Sequence, residues 1–431
     1  MDYAASTFAK IPKSALQKLS ICSNTNLRRC LGLIRSTPTH VIYHMAAEMP
    51  TSYRIEMATA KEIIKCIAYN LPMKKIIITD KLSKNTSYYK IYQKYKLIFY
   101  NIATINTKKQ SLRKIVTDDN FFKNTAKNKE CNKNIINTIL KEKIHLLESQ
   151  QFELIFTDGS IKDNIMGAAF IHEKSNTTKS FYSNKKVASM TAELIAIQKA
   201  VEFAIIQNFK KIAILTDSLS SIFAIKNEES NNHIVQEIIE IINASNLDKI
   251  EIHYIPAHKN INQNEKADEA AKNANQNGER IRIPWTIKDA IKEIENKIRK
   301  EWETEYKGKI TNKGKDYGQI YPEIIKKPWF QKKNTKLESR DIKVINRILS
   351  NHTFCKDTLN KMNIYDDNSC ETCNTIENTN HILFHCNKYA NIRSKYPLLQ
   401  NHTTLIDIQK KYGDKMYNTI TSFLKQCKLE L

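Results

Sequence analysis

The sequence predicts a mixed α/β protein. A five-stranded mixed sheet with flanking helices forms its centre. A helical region precedes the sheet, and a helical tail with a small Cys/His segment follows it. Three observations carry this expectation. Between residues 151 and 275, short apolar runs and stretches of helical period follow one another in the order βββαβααβα. The flanks show apolar residues at helical spacing. Cys370, Cys373, His381 and Cys386 fall within seventeen residues near the end of the chain.

Residues 14–34 read as a helix, with Leu16, Leu19, Leu27, Cys30 and Leu33 at apolar positions, and Thr37-Pro38 closes it. Residues 52–70 read as a second helix. From 81 to 135 the chain is rich in Lys, Asn and Tyr, and a weakly ordered linker is expected. The texture changes at 151. FELIFTD, residues 152–158, reads as a strand running into an Asp158-Gly159-Ser160 turn. MGAAFI (166–171) and KSFY (179–182) read as the next two strands. TAELIA (191–196) opens a helix with Leu194, Ile197, Val201, Ala204 and Ile205 on one face. KIAILTD (211–217) is a fourth strand, and SLSS (218–221) starts a helix. A further helix spans 233–243, IEIHYIP (250–256) is the fifth strand, and 265–275 is the last helix of this unit. Helices are expected around 286–306 and 338–350.

Composition bounds the class. The chain has 431 residues, 41% of them hydrophobic, enough for two or three domains with real cores. No run of eighteen apolar residues is present, so no membrane span is expected. MDYAAST has no basic region followed by an apolar stretch, so the chain is not expected to be secreted. The nine cysteines are then expected to be reduced, in an intracellular protein acting in nucleus or cytoplasm. Net charge is +23, unevenly placed: +16 over 1–150, −3 over 151–280 and +10 over 281–431. Basic flanks suit a polyanion, and an acidic middle suits chemistry by carboxylates. Nucleic acid is the expected partner, with no small-molecule substrate.

Asp158, Glu193 and Asp217 each sit in a small-residue context at the end of a strand or the start of a helix. Asp268, in NEKADEAAK (264–272), sits where the last helix is expected to begin. Singly these are ordinary: a turn Asp, a first-turn Glu, an N-cap Asp. Asp158 and Asp217 both end almost wholly apolar strands. If those strands are neighbours, two like charges meet, which is costly unless a cation offsets them. Hard oxygen ligands suit Mg²⁺ or Mn²⁺, and two such ions about 4 Å apart clamp a phosphate and activate water.

TDGS at 157–160, TAEL at 191–194, TDS at 216–218 and AHKNINQNEKADEAA at 257–271 occur in the order and spacing of a type 1 ribonuclease H. Residues 151–275 therefore resemble that family. The resemblance implies a ribonuclease H-like fold and a metal site of Asp158, Glu193, Asp217 and Asp268 holding two Mg²⁺ or Mn²⁺ ions. It implies that His258, ten residues before Asp268, assists proton transfer or product release. It implies cleavage of the RNA strand of an RNA–DNA hybrid, leaving 5′-phosphate and 3′-hydroxyl ends, with RNA told from DNA by its 2′-hydroxyls. One departure stands out. Where some bacterial members carry an extra helix and basic loop, this chain has only NEESNN (227–232), which is acidic.

The spacing C-x2-C-x7-H-x4-C of Cys370, Cys373, His381 and Cys386 fits a closed tetrahedral Zn²⁺ site, with His385 as a competing ligand. Such a site stabilises a segment too small for its own core.

Outside the sheet unit, ALQKL (15–19), LRRCLGLIRSTP (27–38), IPW (283–285), Trp302, NHT (351–353) and the Cys/His cluster resemble the C-terminal part of a Jockey/I-type non-LTR retrotransposon polyprotein. The partition expected on that basis has five parts. Residues 1–72 are a helical remnant of a reverse-transcriptase thumb or connection, and 73–149 a linker. Residues 150–278 are the ribonuclease H domain and 279–364 a helical connector. Residues 365–431 form a zinc-knuckle-like segment with a final helix. The resemblance implies a truncated or rearranged element product. The expected function is a metal-dependent hybrid ribonuclease; the alternative is a catalytically inactive nucleic-acid-binding remnant.

Overall fold

A computed structural model describes residues 13–78, 86–119, 133–257, 261–331 and 337–431. They form two compact units, one from Met1–Thr59 with Glu295–Leu431 and the other from Ala60–Ile294. No helix among the described residues is long and apolar enough to cross a membrane.

The Ala60–Ile294 unit holds a mixed sheet of seven strands: β1 (Ile115–Asp118), β2 (Glu153–Lys162), β3 (Ile165–His172), β4 (Thr177–Ser183), β5 (Lys211–Thr216), β6 (Lys249–Tyr254) and β7 (Glu279–Arg280). Their order is β1-β6-β5-β2-β3-β4-β7. The β2–β3–β4 meander is antiparallel, and β2, β5, β6 and β1 run parallel. Parallel strands covered on both faces need continuous apolar runs, which IAIL and LIF supply. Leu154, Phe156, Leu215 and Ile255 share a core with Leu140 and Leu147 of the helix Lys133–Ser149.

The mixed α/β class is as expected, but the sheet has two strands more than the five the sequence suggests. β7 is only two residues long and pairs with β4. β1 lies in the stretch expected to be weakly ordered. Its four residues carry no usable periodicity, and distant partners hold it. Ile115 and Thr117 pair with Ile250 and Ile252 of β6. Just before it, the Lys114 ammonium donates to the carbonyls of Ile242 and Ser245 at the end of the helix His233–Ala244. Gln236 accepts from the Asn106 amide and donates to its carbonyl.

A second difference concerns Asp158-Gly159-Ser160. No turn forms there, because β2 stays paired with β3 as far as Lys162. The chain reverses instead at Asp163 and Asn164, at φ 51° and 64°. Two consecutive left-handed residues twist as a two-residue hairpin requires, and Asp and Asn tolerate that region best after glycine.

In the other unit, Leu31, Val41 and Met45 share a core with Trp329, Ile348 and Tyr417. Asn346 accepts from the Trp329 indole at 2.9 Å and donates to the Leu31 carbonyl at 2.9 Å. Residues from the first two helices, Lys13–Leu31 and Thr39–Met45, thus share a core with the C-terminal tail.

Candidate functional site

Asp158 lies inside β2 and Asp217 directly follows β5. The register between those parallel strands ends at Thr157 opposite Thr216, so the next residue on each is an aspartate. Glu193 arrives on the helix Ser189–Ile206, which begins earlier than the sequence suggests. Glu193 therefore lies beyond the first turn. Each of Asp158, Glu193 and Asp217 offers a carboxylate oxygen, and these atoms lie within 4.8 Å of one another.

Two glycines on the central hairpin make this possible. A Cβ on Gly159 would lie 2.2 Å from the Glu193 backbone nitrogen and 2.5 Å from the Ala192 carbonyl carbon. A Cβ on Gly167 would lie 1.9 Å from the Ala271 carbonyl oxygen, on the helix Asn262–Lys272 that carries Asp268. Gly159 pairs with Ala168 and Gly167 with Ser160, so the two sites open to opposite faces of the sheet. One glycine admits the helix bearing Glu193 and the other the helix bearing Asp268. Gly159→Ala is expected to push back a helix backbone. Overpacking of this kind costs about 1–3 kcal/mol and would displace the Glu193 carboxylate from Asp158 and Asp217. Thermal melts check this; a variant that melts as the wild type does contradicts it.

Burial, then the Asp217 charge, push the Asp158 carboxyl up to about 7. Burial, then the charges of Asp158 and Asp217, push Glu193 up to about 9. The nearby Gly159 amide holds the Glu193 rise back, while Glu193 Oε2 is buried with no hydrogen-bond partner among the described residues. An orphaned, buried acceptor among three crowded acids is what a hard divalent cation would satisfy. Without metal, both raised groups contribute stability that is complete below about pH 4, their unfolded range. That contribution is lost as pH rises through 7 and then 9. Metal binds the ionised form. The rise in melting temperature on adding Mg²⁺ is therefore expected to grow from pH 6 to pH 9. A gain that stays flat or falls with pH contradicts this assignment.

Asp268 differs from its expected setting. The helix starts at Asn262, so Asp268 lies in its interior rather than at its N-terminus. Its carboxylate takes the Lys272 ammonium at 2.6 Å, one turn on. It stands outside the three-acid set, although its charge raises both Asp158 and Glu193. His258 lies outside the described residues. The acidic 227–232 loop is tied down, with Glu228 paired to Lys109 at 2.8 Å.

The Cys/His cluster forms as spaced. Ligand atoms of Cys370, Cys373, His381 and Cys386 lie within 4.8 Å of one another. The Cys386 sulfur is 3.7 Å from that of Cys370 and 3.9 Å from that of Cys373. A tetrahedral site with Zn–S of about 2.3 Å sets thiolates roughly 3.8 Å apart, so the donors could hold zinc. Burial pushes the Cys370 thiol up, but the Thr372 and Cys373 amides together with the Cys386 and Cys373 thiols outweigh it and hold the thiol below its usual range. His381 Nε2 is buried without a hydrogen-bond partner among the described residues. His385 instead turns its Nε2 to the Thr403 carbonyl at 3.1 Å. The cluster is no freestanding segment: Ile382, Leu383 and Phe384 belong to the core that holds Leu31 and Tyr417.

Residues 149–276 match the family model described as RNase H. β2 to β6 and all three clustered acids lie inside that stretch. The match supports an RNase H domain there, and with it nuclease function and nucleic-acid binding at a general level. The curated proteins compared with the chain gave no match.

Proposed function

We propose that this chain is a divalent-metal-dependent endonuclease that cuts the RNA strand of RNA–DNA hybrids. The observation that carries the reading is the convergence of Asp158, Glu193 and Asp217 around an unpartnered buried oxygen, inside the stretch that matches RNase H. Asp158, Glu193 and Asp217 would hold Mg²⁺ or Mn²⁺, with Asp268 joining them on release from Lys272. The bound ions would supply charge neutralisation at the scissile phosphate and a more acidic attacking water. In-line attack forms a new phosphorus–oxygen bond as the bond to O3′ breaks. The water loses a proton, O3′ gains one, and 5′-phosphate and 3′-hydroxyl ends result. Burial and mutual repulsion disfavour the ionised forms of Asp158 and Glu193, and the charge of bound metal would offset that cost. His258 would relay the proton or aid product release.

The Cys₃His set would hold Zn²⁺ as a structural ion, tying the C-terminal tail into its core. The flanking basic regions would supply backbone affinity that the acidic 227–232 loop does not. A polyprotein of the Jockey/I retrotransposon type is the proposed origin, with residues 150–278 as its ribonuclease H portion. The test offers end-labelled hybrid, duplex RNA and duplex DNA to the full chain with Mg²⁺. Cutting of RNA in the hybrid alone, with 5′-phosphate ends, is expected. Salt-sensitive binding of all three without cutting identifies a binding protein instead.

A further inference from the structure

The helix that brings Glu193 to the acid cluster starts without a cap of its own. Its N-cap residue is Ala188, which has no side chain to accept from the first turn. Helix N-termini leave backbone donors unsatisfied, and a frayed first turn would loosen everything mounted on it. Here a carboxylate about a hundred residues further on instead takes the amide of the N-cap residue and a side-chain hydroxyl of the first turn.

Asp289 is 3% exposed, and its carboxylate is fully engaged. One oxygen accepts from the Ala188 amide at 2.8 Å. The other accepts from the Thr191 hydroxyl at 2.7 Å and from the Thr286 hydroxyl at 2.7 Å. The Asp289 amide in turn donates to Thr286 Oγ1 at 3.0 Å, fixing the carboxylate's own backbone. A buried carboxylate is costly unless donors surround it, and three do. It also places negative charge at the start of the Ser189–Ile206 helix, the end that favours it.

Thr191 stands two residues before Glu193. On the sheet side the same helix is pressed against Gly159, where no Cβ would fit. The first turn is thus held between β2 and Asp289. Glu193 Oε2 has no hydrogen-bond partner among the described residues, so no donor there holds that oxygen in place. Asp289 also lies beyond residues 149–276, outside the RNase H match.

We propose that Asp289 is a positioning residue for the acid cluster: by pinning Ala188 and Thr191 it sets where the Glu193 carboxylate meets Asp158 and Asp217. The inference rests on the metal-site reading above. Outer hydrogen-bond partners of metal ligands typically change metal affinity by about 10–100-fold. The experiment is calorimetric titration of the full chain with Mn²⁺, beside Mn²⁺-dependent cleavage of labelled hybrid. Asp158→Asn identifies the binding component that belongs to the acid cluster. Asp289→Ala is expected to weaken that component by at least about tenfold and to shift the Mn²⁺ midpoint of cleavage by the same factor. KM for the hybrid should stay within about twofold, because the lost interaction bears on metal rather than substrate. Asp289→Asn keeps an oxygen for the Ala188 amide and is expected to restore most of the affinity.

A folded Asp289→Ala protein with wild-type Mn²⁺ affinity overturns the inference. If that variant does not fold, Thr191→Val removes a single arm of the anchor; weaker Mn²⁺ binding supports the inference and unchanged binding overturns it. A wild-type chain that binds Mn²⁺ through Asp158 yet leaves hybrid intact ends the nuclease reading, while the titration still decides the role of Asp289. Mn²⁺ binding independent of Asp158 overturns both.

Discussion

Asp158→Asn or Asp217→Asn is expected to lower hybrid cleavage by at least about 10³-fold. Metal stabilisation of transition-state charge is worth several kcal/mol, and each 1.36 kcal/mol is a factor of ten in rate. The accompanying stability change separates this loss from unfolding. Both side chains stand in a cluster that burial and mutual repulsion make costly without metal. Replacing one charge with a neutral amide of the same shape relieves that cost. The metal-free variant is therefore expected to melt at the same temperature as the wild type or higher at pH 8, while losing activity. Sites that trade stability for function behave this way. A variant that melts well below the wild type makes the acid structural and contradicts the assignment.

Cys386→Ser is expected to give the largest loss of stability of any single substitution in the C-terminal tail. Its sulfur is buried and lies 3.7 Å and 3.9 Å from two other cysteine sulfurs. Around it, the buried Arg393 guanidinium donates to the carbonyls of Leu383, Ile382 and Cys386, so the backbone of the cluster is already committed to one geometry. Structural zinc contributes about 10–16 kcal/mol in isolated zinc-finger peptides. In a segment with its own core, the expected loss is smaller but still several kcal/mol. At roughly 2–4 °C per kcal/mol, a fall in melting temperature of at least about 10 °C follows. The purified wild type should carry about one zinc per chain, and strong chelators should reproduce the effect of the substitution. A chain without zinc that melts as the wild type does contradicts this account.

The parts of the site that were legible in the sequence share one property: their signal is local. Asp158 and Asp217 stand out because carboxylates interrupt apolar strands, and Cys370, Cys373, His381 and Cys386 because ligands are close in sequence. What was not legible depends on partners far along the chain. The Asp158-Gly159-Ser160 triplet has turn chemistry, yet pairing with β3 overrides it, and Gly159 serves close approach of a helix instead. β1 has four residues and its strand partner is β6, more than a hundred residues later. The helix carrying Asp268 starts after Ile261, which has no capping side chain, so the more cap-like Asp268 suggested a later start. Lys272, which takes the Asp268 carboxylate, reads in sequence as one more surface lysine. Asp289 reads as a first-turn acid of its own helix, and nothing near it points to Ala188 or Thr191.

The most direct test of the central claim is a time course of RNA-strand cutting in a labelled RNA–DNA hybrid by the full chain. It is run with Mg²⁺, without it, and with Asp217→Asn in parallel. Cutting that requires Mg²⁺, spares the DNA strand and disappears in the variant is the predicted result. Intact hybrid with wild-type protein that is folded and binds nucleic acid would contradict it.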